Sequence, residues 1–292
     1  MKVVITGGSG QLARRVAELL LVKIAPQDLI VTTRTPARLR SLAERGVVVR
    51  QADFAAPQTL RGAFAGAGRM LLVSATDLGL RTAQHRAAID AAKAAGVRHV
   101  VYTSGLRPEP PNPAVVAPSH YATEQALMQS GLAWTILRNS LYADYQIPEG
   151  SQAIAAGALV HNRGAGKVAY VARDDCAAVA AAVLVAAGQA GKCYDVTGPK
   201  AYAAAELAAL YAELGGQPVV ERCVSDAELV AGIVGKAEGD DHLRYGAELV
   251  ASFGRSIREG YMDARTAHVE KLTGRAPKSL RQVLEPLRAV RR

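Results

Sequence analysis

The chain has 292 residues, 50% hydrophobic and 21% charged, with only 5% aromatic residues. That balance excludes a disordered chain and a membrane bundle, and the length suits one large or two modest domains with a sizeable core. Three widely spaced cysteines, Cys176, Cys193 and Cys223, give no disulfide framework and no paired metal-ligand spacing, so a reducing cytoplasmic setting and no metal are expected.

The net charge of +9 does not read as nucleic-acid binding. From Gly254 to the end there are ten Lys/Arg and four Asp/Glu, so six of the nine charges sit in the last 39 residues, interspersed with acids and leucines and without a stacking series of aromatics. Met1 and Lys2 run into apolar Val3–Ile5 and then glycines, which predicts a strand and loop rather than a cleavable leader. The longest apolar run, Cys176–Ala187, has 12 residues, too few to span a bilayer. It predicts a buried helix capped by Asp174 or Asp175.

In chain order, strands are expected at Lys2–Thr6, Leu29–Thr33, Val47–Arg50, Met70–Ser74, Val97–Ser104 and Trp134–Arg138. Helices are expected at Gln11–Val22, Pro36–Glu44, Gln58–Ala65, Thr82–Ala95 and His120–Ser130. Near-continuous apolar strands, each followed by a helix, predict an α/β fold with a doubly wound parallel sheet of the Rossmann type. After Arg138 the rhythm breaks, with short β pieces in Leu159–Val171, strands at Lys192–Val196 and Val219–Val224, and a mainly helical remainder. The expected division is a dinucleotide-binding domain over 1–150 that takes back about 172–198, and a smaller, mainly helical substrate lobe within 151–292.

The sharpest signal is Thr6-Gly7-Gly8-Ser9-Gly10-Gln11-Leu12-Ala13 between the first strand and first helix. Gly7 permits the tight turn, Gly10 permits close approach of a pyrophosphate, and the helix start offers free N–H groups to phosphates. The second strand ends in Thr32-Thr33-Arg34-Thr35, with no acid before Glu44. A carboxylate there would hold the ribose hydroxyls of NAD, whereas Arg34 pairs with a 2′-phosphate, so NADP(H) is the expected cofactor. Asp53-Phe54, Ser74-Ala75-Thr76 and Thr103-Ser104-Gly105 follow later strands at the same sheet edge and are further cofactor candidates, with an ordinary polar turn as the alternative for each.

These residues, with Arg50–Asp53, Gln84-His85-Arg86, Ala91–Val97 into Tyr102-Thr103-Ser104, His120 with Thr123-Glu124, and Leu137-Arg138-Asn139 with Tyr142, resemble the NmrA-like atypical short-chain dehydrogenase/reductase family over almost the full chain. The resemblance implies NADPH bound across Gly7–Leu12 (Gly7, Ser9, Gly10, Gln11 and Leu12), Arg34, Ser74–Thr76 and Thr103–Gly105. It also implies a substrate pocket lined from His120, the loop Asn139–Tyr145 and the C-terminal lobe. Some members reduce quinones or dyes, and others sense the dinucleotide and regulate partners.

The Tyr-x-x-x-Lys pair of the wider group is incomplete here, because Tyr121 is followed four residues later by Gln125. Glutamine supplies no positive charge to activate the tyrosine, which argues against alcohol oxidation but not against hydride delivery to an acceptor that delocalises its own charge. His120 and Tyr121 are the candidate catalytic residues, and Tyr121, Asn139, Tyr142 and Tyr145 the candidate substrate contacts. The expected activity is an NADPH-dependent reductase acting on a quinone or similar conjugated aromatic, as a monomer or homodimer, with no nucleic-acid or membrane partner. A non-catalytic NADP(H) sensor, and an enone or carbonyl reductase using Tyr121, remain as alternatives.

Overall fold

A computed structural model describes residues 1–235 and 240–291. Six strands, β1 (Val3–Ile5), β2 (Leu29–Thr33), β3 (Val48–Gln51), β4 (Arg69–Leu72), β5 (His99–Gly105) and β6 (Ala133–Asn139), alternate with α1 (Gln11–Leu21), α2 (Arg40–Ala43), α3 (Leu60–Phe64), α4 (Arg81–Ala94) and α5 (Ala117–Gln129). There follow α6 (Gln146–Ala156), β7 (Ala158–His161), β8 (Lys167–Val168), α7 (Arg173–Val185), β9 (Lys192–Val196), β10 (Tyr202–Ala203), α8 (Ala204–Gly215), β11 (Val220–Cys223), α9 (Asp226–Val234), α10 (Asp241–Arg258), α11 (His268–Thr273) and α12 (Leu280–Leu284).

The main sheet is parallel throughout, in the order β3-β2-β1-β4-β5-β6-β9. Every residue of β1 and β2 is buried, as a sheet covered on both faces demands. Alternation divides the core in two: Val3, Ile5 and Val31 pack under α1 and α7, while Val4, Ile30 and Met70 pack under α3 and α4. The strand order reverses between β1 and β4, where Ile5 stands opposite both Val31 and Leu71. The crevice beyond the carboxyl ends of the strands at this switch point is where open α/β sheets bind their ligands.

A separate apolar core joins α6, β7, α8 and α12 with Ile257 of α10. The helix α6 was not expected from the sequence. The helix over the alanine run begins at Arg173, and its N-cap is Ala172 rather than an aspartate. Asp174 and Asp175 lie instead in its first turn, where Asp174 pairs with Arg15 and Lys278, and Asp175 with Arg275. The basic C-terminal stretch is largely internally matched, since Arg255 and Arg258 pair with Asp226, Arg281 with Glu213 and Arg288 with Glu285. Among the described residues no helix is long and apolar enough to cross a membrane, and no group of three or more His, Cys, Asp or Glu is placed to hold a metal ion.

Candidate active site

The glycine loop leaves β1 through Gly7, whose φ of 65° is a left-handed conformation that glycine adopts without strain. Gly8 is tighter still: a Cβ there would meet Val31 Cγ1 at 2.2 Å and Leu39 Cδ1 at 2.9 Å. Its N–H donates to the Thr32 carbonyl at 2.8 Å, which fixes the loop against β2. Gly10 then caps α1 with no side-chain hydrogen bond and no acid in the first turn, leaving the helix start open to an anion. Arg34 lies exposed just past β2, and the guanidinium of Arg14 donates to the Arg38 carbonyl at 2.6 Å. None of these three arginines is ion-paired among the described residues. The open helix start, the close backbone and the basic cluster fit the phosphates of NADP(H). Arg14 was not picked out from the sequence, because only the folded turn of α1 brings it to Arg38.

The other candidate cofactor loops have defined local roles. Asp53 accepts the Ala55 N–H at 2.9 Å, and the Phe54 ring meets His85 edge-on with centroids 6.3 Å apart. The Ser74 N–H donates to Thr103 Oγ1 at 3.0 Å, and the Ala75 N–H to His85 Nε2 at 2.9 Å. The Ala75 carbonyl accepts from Arg81 Nε at 2.6 Å, whereas Thr76 is exposed. Ser104 donates to the buried Glu124 carboxylate at 2.7 Å, which also receives Arg138 through Nε at 3.0 Å and Nη2 at 2.6 Å.

A cleft of about 230 Å³ opens beside these loops. Its wall brings together Ser74, Thr103, Ser104, Gly105, His120, Asn139, Tyr142 and Tyr145 from the expected residues. Tyr121 is half-buried on α5 and is not part of the wall. The wall also contains Arg81 and Ser140, and is completed by Phe253 of α10 and Met262. Sequence periodicity gave no sign of these two, since they reach the cleft only through the packing of the C-terminal helices.

The Tyr142 and Tyr145 rings lie 5.9 Å apart, with the Arg173 guanidinium 5.3 and 5.4 Å from their centroids. Arg173 also bonds Asp144 and the Gln11 side chain, so the start of α7 ties this aromatic shelf to the glycine-loop helix. Burial first, with the neighbouring Cys176 and Tyr145, keeps the Tyr142 hydroxyl protonated well above its ordinary range. The Asn139 Nδ2 group lies 3.4 Å from the Tyr142 hydroxyl oxygen, while Asn139 Oδ1 and Ser140 Oγ are buried without a partner.

Beneath the cleft the hydrogen-bond directions are determined by their ends. A backbone N–H donates to His85 Nε2, so His85 carries its hydrogen on Nδ1, directed at Thr123 Oγ1 2.9 Å away. Thr123 donates onward to the Ser119 carbonyl at 2.8 Å. Arg81 Nη1 can only donate, and it faces His120 Nε2 at 3.4 Å; the His120 hydrogen therefore lies on Nδ1, 2.7 Å from the Tyr102 hydroxyl. Burial above all pushes the Tyr102 hydroxyl well above its ordinary range, so it stays protonated. Burial, then Arg81, pushes both imidazoles down to about 3, so they are neutral at physiological pH. His120 thus meets the cleft through a nitrogen with no hydrogen to give.

The family model described as NAD(P)H-binding matches residues 7–187. Quinone oxidoreductase 2 of Escherichia coli is 35% identical over 254 residues, covering 86% of this chain and 88% of that protein. The crystal structure of the NADPH-dependent quinone oxidoreductase of E. coli with NADPH superposes with a TM-score of 0.92 at 33% identity, over 98% of this chain and 99% of that one. The triphenylmethane reductase of Citrobacter sp. with NADP(H) gives a TM-score of 0.90 at 31% identity, over 98% of this chain and all of that one. On matches of this extent, the chain belongs to the NAD(P)H-binding family, in the NmrA-like group that its sequence resembles.

Proposed function

We propose that the protein is an NADPH-dependent reductase of quinones or similar conjugated aromatic acceptors. The observation that carries this reading is the juxtaposition of an open glycine-loop helix start and three arginines with an aromatic-walled cleft at the same sheet edge. The reading is supported by relatives that reduce quinones and triphenylmethane dyes with NADPH.

In this reading residues Gly7–Leu12 hold the pyrophosphate, Arg34 with Arg14 and Arg38 the 2′-phosphate, and Ser74–Thr76 with Thr103–Gly105 the nicotinamide half. Asp53 and Phe54 flank the adenine. The bound cofactor supplies the hydride. The chain's own residues align the acceptor and exclude water: Tyr142 and Tyr145 offer a flat surface, and Phe253 and Met262 close the far wall. Asn139 Oδ1 and Ser140 Oγ, both unpartnered and on residues of the cleft wall, would suit a ligand's primary carboxamide, one atom accepting its N–H and the other donating to its carbonyl.

His120 acts as a positioning residue for Arg81, while Tyr102 holds its ring. The acceptor's last proton then comes from solvent after hydride transfer or from a weak donor such as a cleft tyrosine hydroxyl, because no cleft imidazole can supply it. The reading assigns cofactor binding to 1–150 with 172–198 and substrate closure to the remainder, in a cytoplasmic monomer or homodimer.

The test is NADPH oxidation followed at 340 nm with quinones, dyes, enones and aldehydes, alongside Tyr121→Phe. Turnover of quinones or dyes that survives Tyr121→Phe is expected. Turnover confined to enones or aldehydes and lost in Tyr121→Phe would move the chemistry to that hydroxyl, and NADP(H) binding without any turnover would favour a sensor.

A further inference from the structure

Arg81 opens α4, lines the cleft and has only 7% of its surface exposed. A cation so enclosed normally sits against a carboxylate, since burying it unpaired is costly. Here none stands within ion-pair distance among the described residues. Its bonds go to the Ala75 carbonyl, to Ser119 Oγ at 3.3 Å and to His120 Nε2 at 3.4 Å, all neutral acceptors. Nη2 has no partner among the described residues. Asp77 acts on Arg81 only through space, and its carboxylate already accepts the Leu80 N–H.

The surroundings keep this charge uncompensated and oriented. His120 is held with its lone pair toward Arg81 by its Nδ1 hydrogen bond to the Tyr102 hydroxyl, and Arg81 Nε is spent on the loop carbonyl. What remains is the Nη2 group of a residue in the wall of a mostly apolar and aromatic cleft. An oxyanion on a flat ligand is the chemical complement of that group.

We propose that Arg81 makes this cleft a receptor for planar aromatic acceptors bearing an acidic oxyanion, a carboxylate or a sulfonate, and that it sets the enzyme's preference for them over neutral analogues. The proposal rests on reading the cleft as the acceptor pocket. The cofactor's own phosphates are the other source of an oxyanion, and the experiment separates the two.

The probes are naphthalene-2-sulfonate and naphthalene-2-sulfonamide, a matched anionic and neutral pair that cannot be reduced. Their binding is measured by calorimetry on the full chain, with and without saturating NADP+. The wild type should bind the sulfonate at least about tenfold more tightly than the sulfonamide in both conditions, a ratio in line with a charge-assisted hydrogen bond. Arg81→Met should bring the ratio close to one. Arg81→Lys, which keeps the charge without the fork, should retain an intermediate ratio and covers the case in which the methionine variant does not fold.

A wild-type ratio near one, or one unchanged in both variants, overturns the proposal. So does a preference that vanishes on saturation with NADP+ while Arg81→Met weakens NADP+ binding, because Arg81 would then be reading the cofactor. Since the probes are redox-inert, failure here leaves quinone turnover untouched, and failure of turnover leaves the binding ratio readable.

Discussion

Two buried histidines should make this protein's stability fall in mild acid. His85 and His120 are pushed from an ordinary 6.5 down to about 3 by burial and by Arg81. A folded state that refuses protons loses ground wherever the unfolded chain takes them up, so stability drops as pH falls from about 6.5 toward 3. At 1.36 kcal/mol per pH unit, each histidine costs about 2 kcal/mol at about pH 5 relative to about pH 7.5, and the pair about 4. That is a large share of a typical folding free energy of roughly 5–15 kcal/mol. His99, lowered by burial and then Arg69, adds in the same direction. Carboxylates held below their usual range, such as Asp226, release their stabilisation only at lower pH and do not confuse the window.

The assay is urea unfolding at about pH 7.5, 6 and 5 for the wild type and His120→Gln, under conditions where refolding is reversible. The variant should show a pH dependence smaller by about 2 kcal/mol over this range, whatever its stability at neutral pH. A wild-type stability flat between pH 7.5 and 5, or the same slope in both proteins, would refute the assignment of His120 as buried and neutral. Protonating His85 would set an imidazole N–H against the Ala75 N–H, but folded His85 stays neutral down to about 3, so NADP(H) affinity should not change through this residue between about pH 7.5 and 5.

Other perturbations test separate parts of the account. Arg34→Ala should reduce the NADPH-over-NADH preference, read as the ratio of kcat/KM values, by about 10- to 100-fold, the worth of one charge-assisted contact. Arg14→Ala should have a smaller effect of the same sign. Glu124→Gln leaves Arg138 with only half-exposed Glu109 as its carboxylate partner and should destabilise by about 3 kcal/mol in urea unfolding. Gly8→Ala places a methyl within 2.2 Å of Val31 Cγ1 and should cost about 1–3 kcal/mol and weaken NADPH binding at least tenfold; a fully stable, tightly binding variant would show that the loop is not held against β2 as described.

What the sequence disclosed and what it hid divide along physical lines. Leu29–Thr33 is legible to the residue because a fully buried parallel strand is apolar or β-branched along its whole length; Lys192–Val196 is an edge strand with Lys192 and Cys193 exposed, and only Cys193 and the alternating Tyr194 and Val196 mark it. The glycine loop was legible because its chemistry is local. Helix α6 is hidden in the sequence because proline and glycine, here Pro148 and Gly150, are poor helix formers. Pro148 occupies the first turn, where its missing N–H is not needed, and Gly150 is where Tyr211 and Leu287 come within 2.7 Å of a would-be Cβ. The sheet edge for the cofactor could be named from strand order alone, but the cleft chemistry could not. Arg81, Tyr102 and Arg173 matter through neighbours 18 to 162 residues away, and nothing in their local sequence separates them from ordinary helix or strand residues. Tyr121 stood out in the sequence for the same reason in reverse: a familiar local spacing, on a helix face the fold does not turn into the cleft wall.

The most direct test of the central claim is a stoichiometric one. Purified protein, NADPH and excess 1,4-benzoquinone are mixed anaerobically, and NADPH loss at 340 nm is compared with hydroquinone formed, with NADH run in parallel. The account predicts one hydroquinone per NADPH, at a protein-dependent rate well above that with NADH. Tight NADPH binding with no protein-dependent hydroquinone would contradict it.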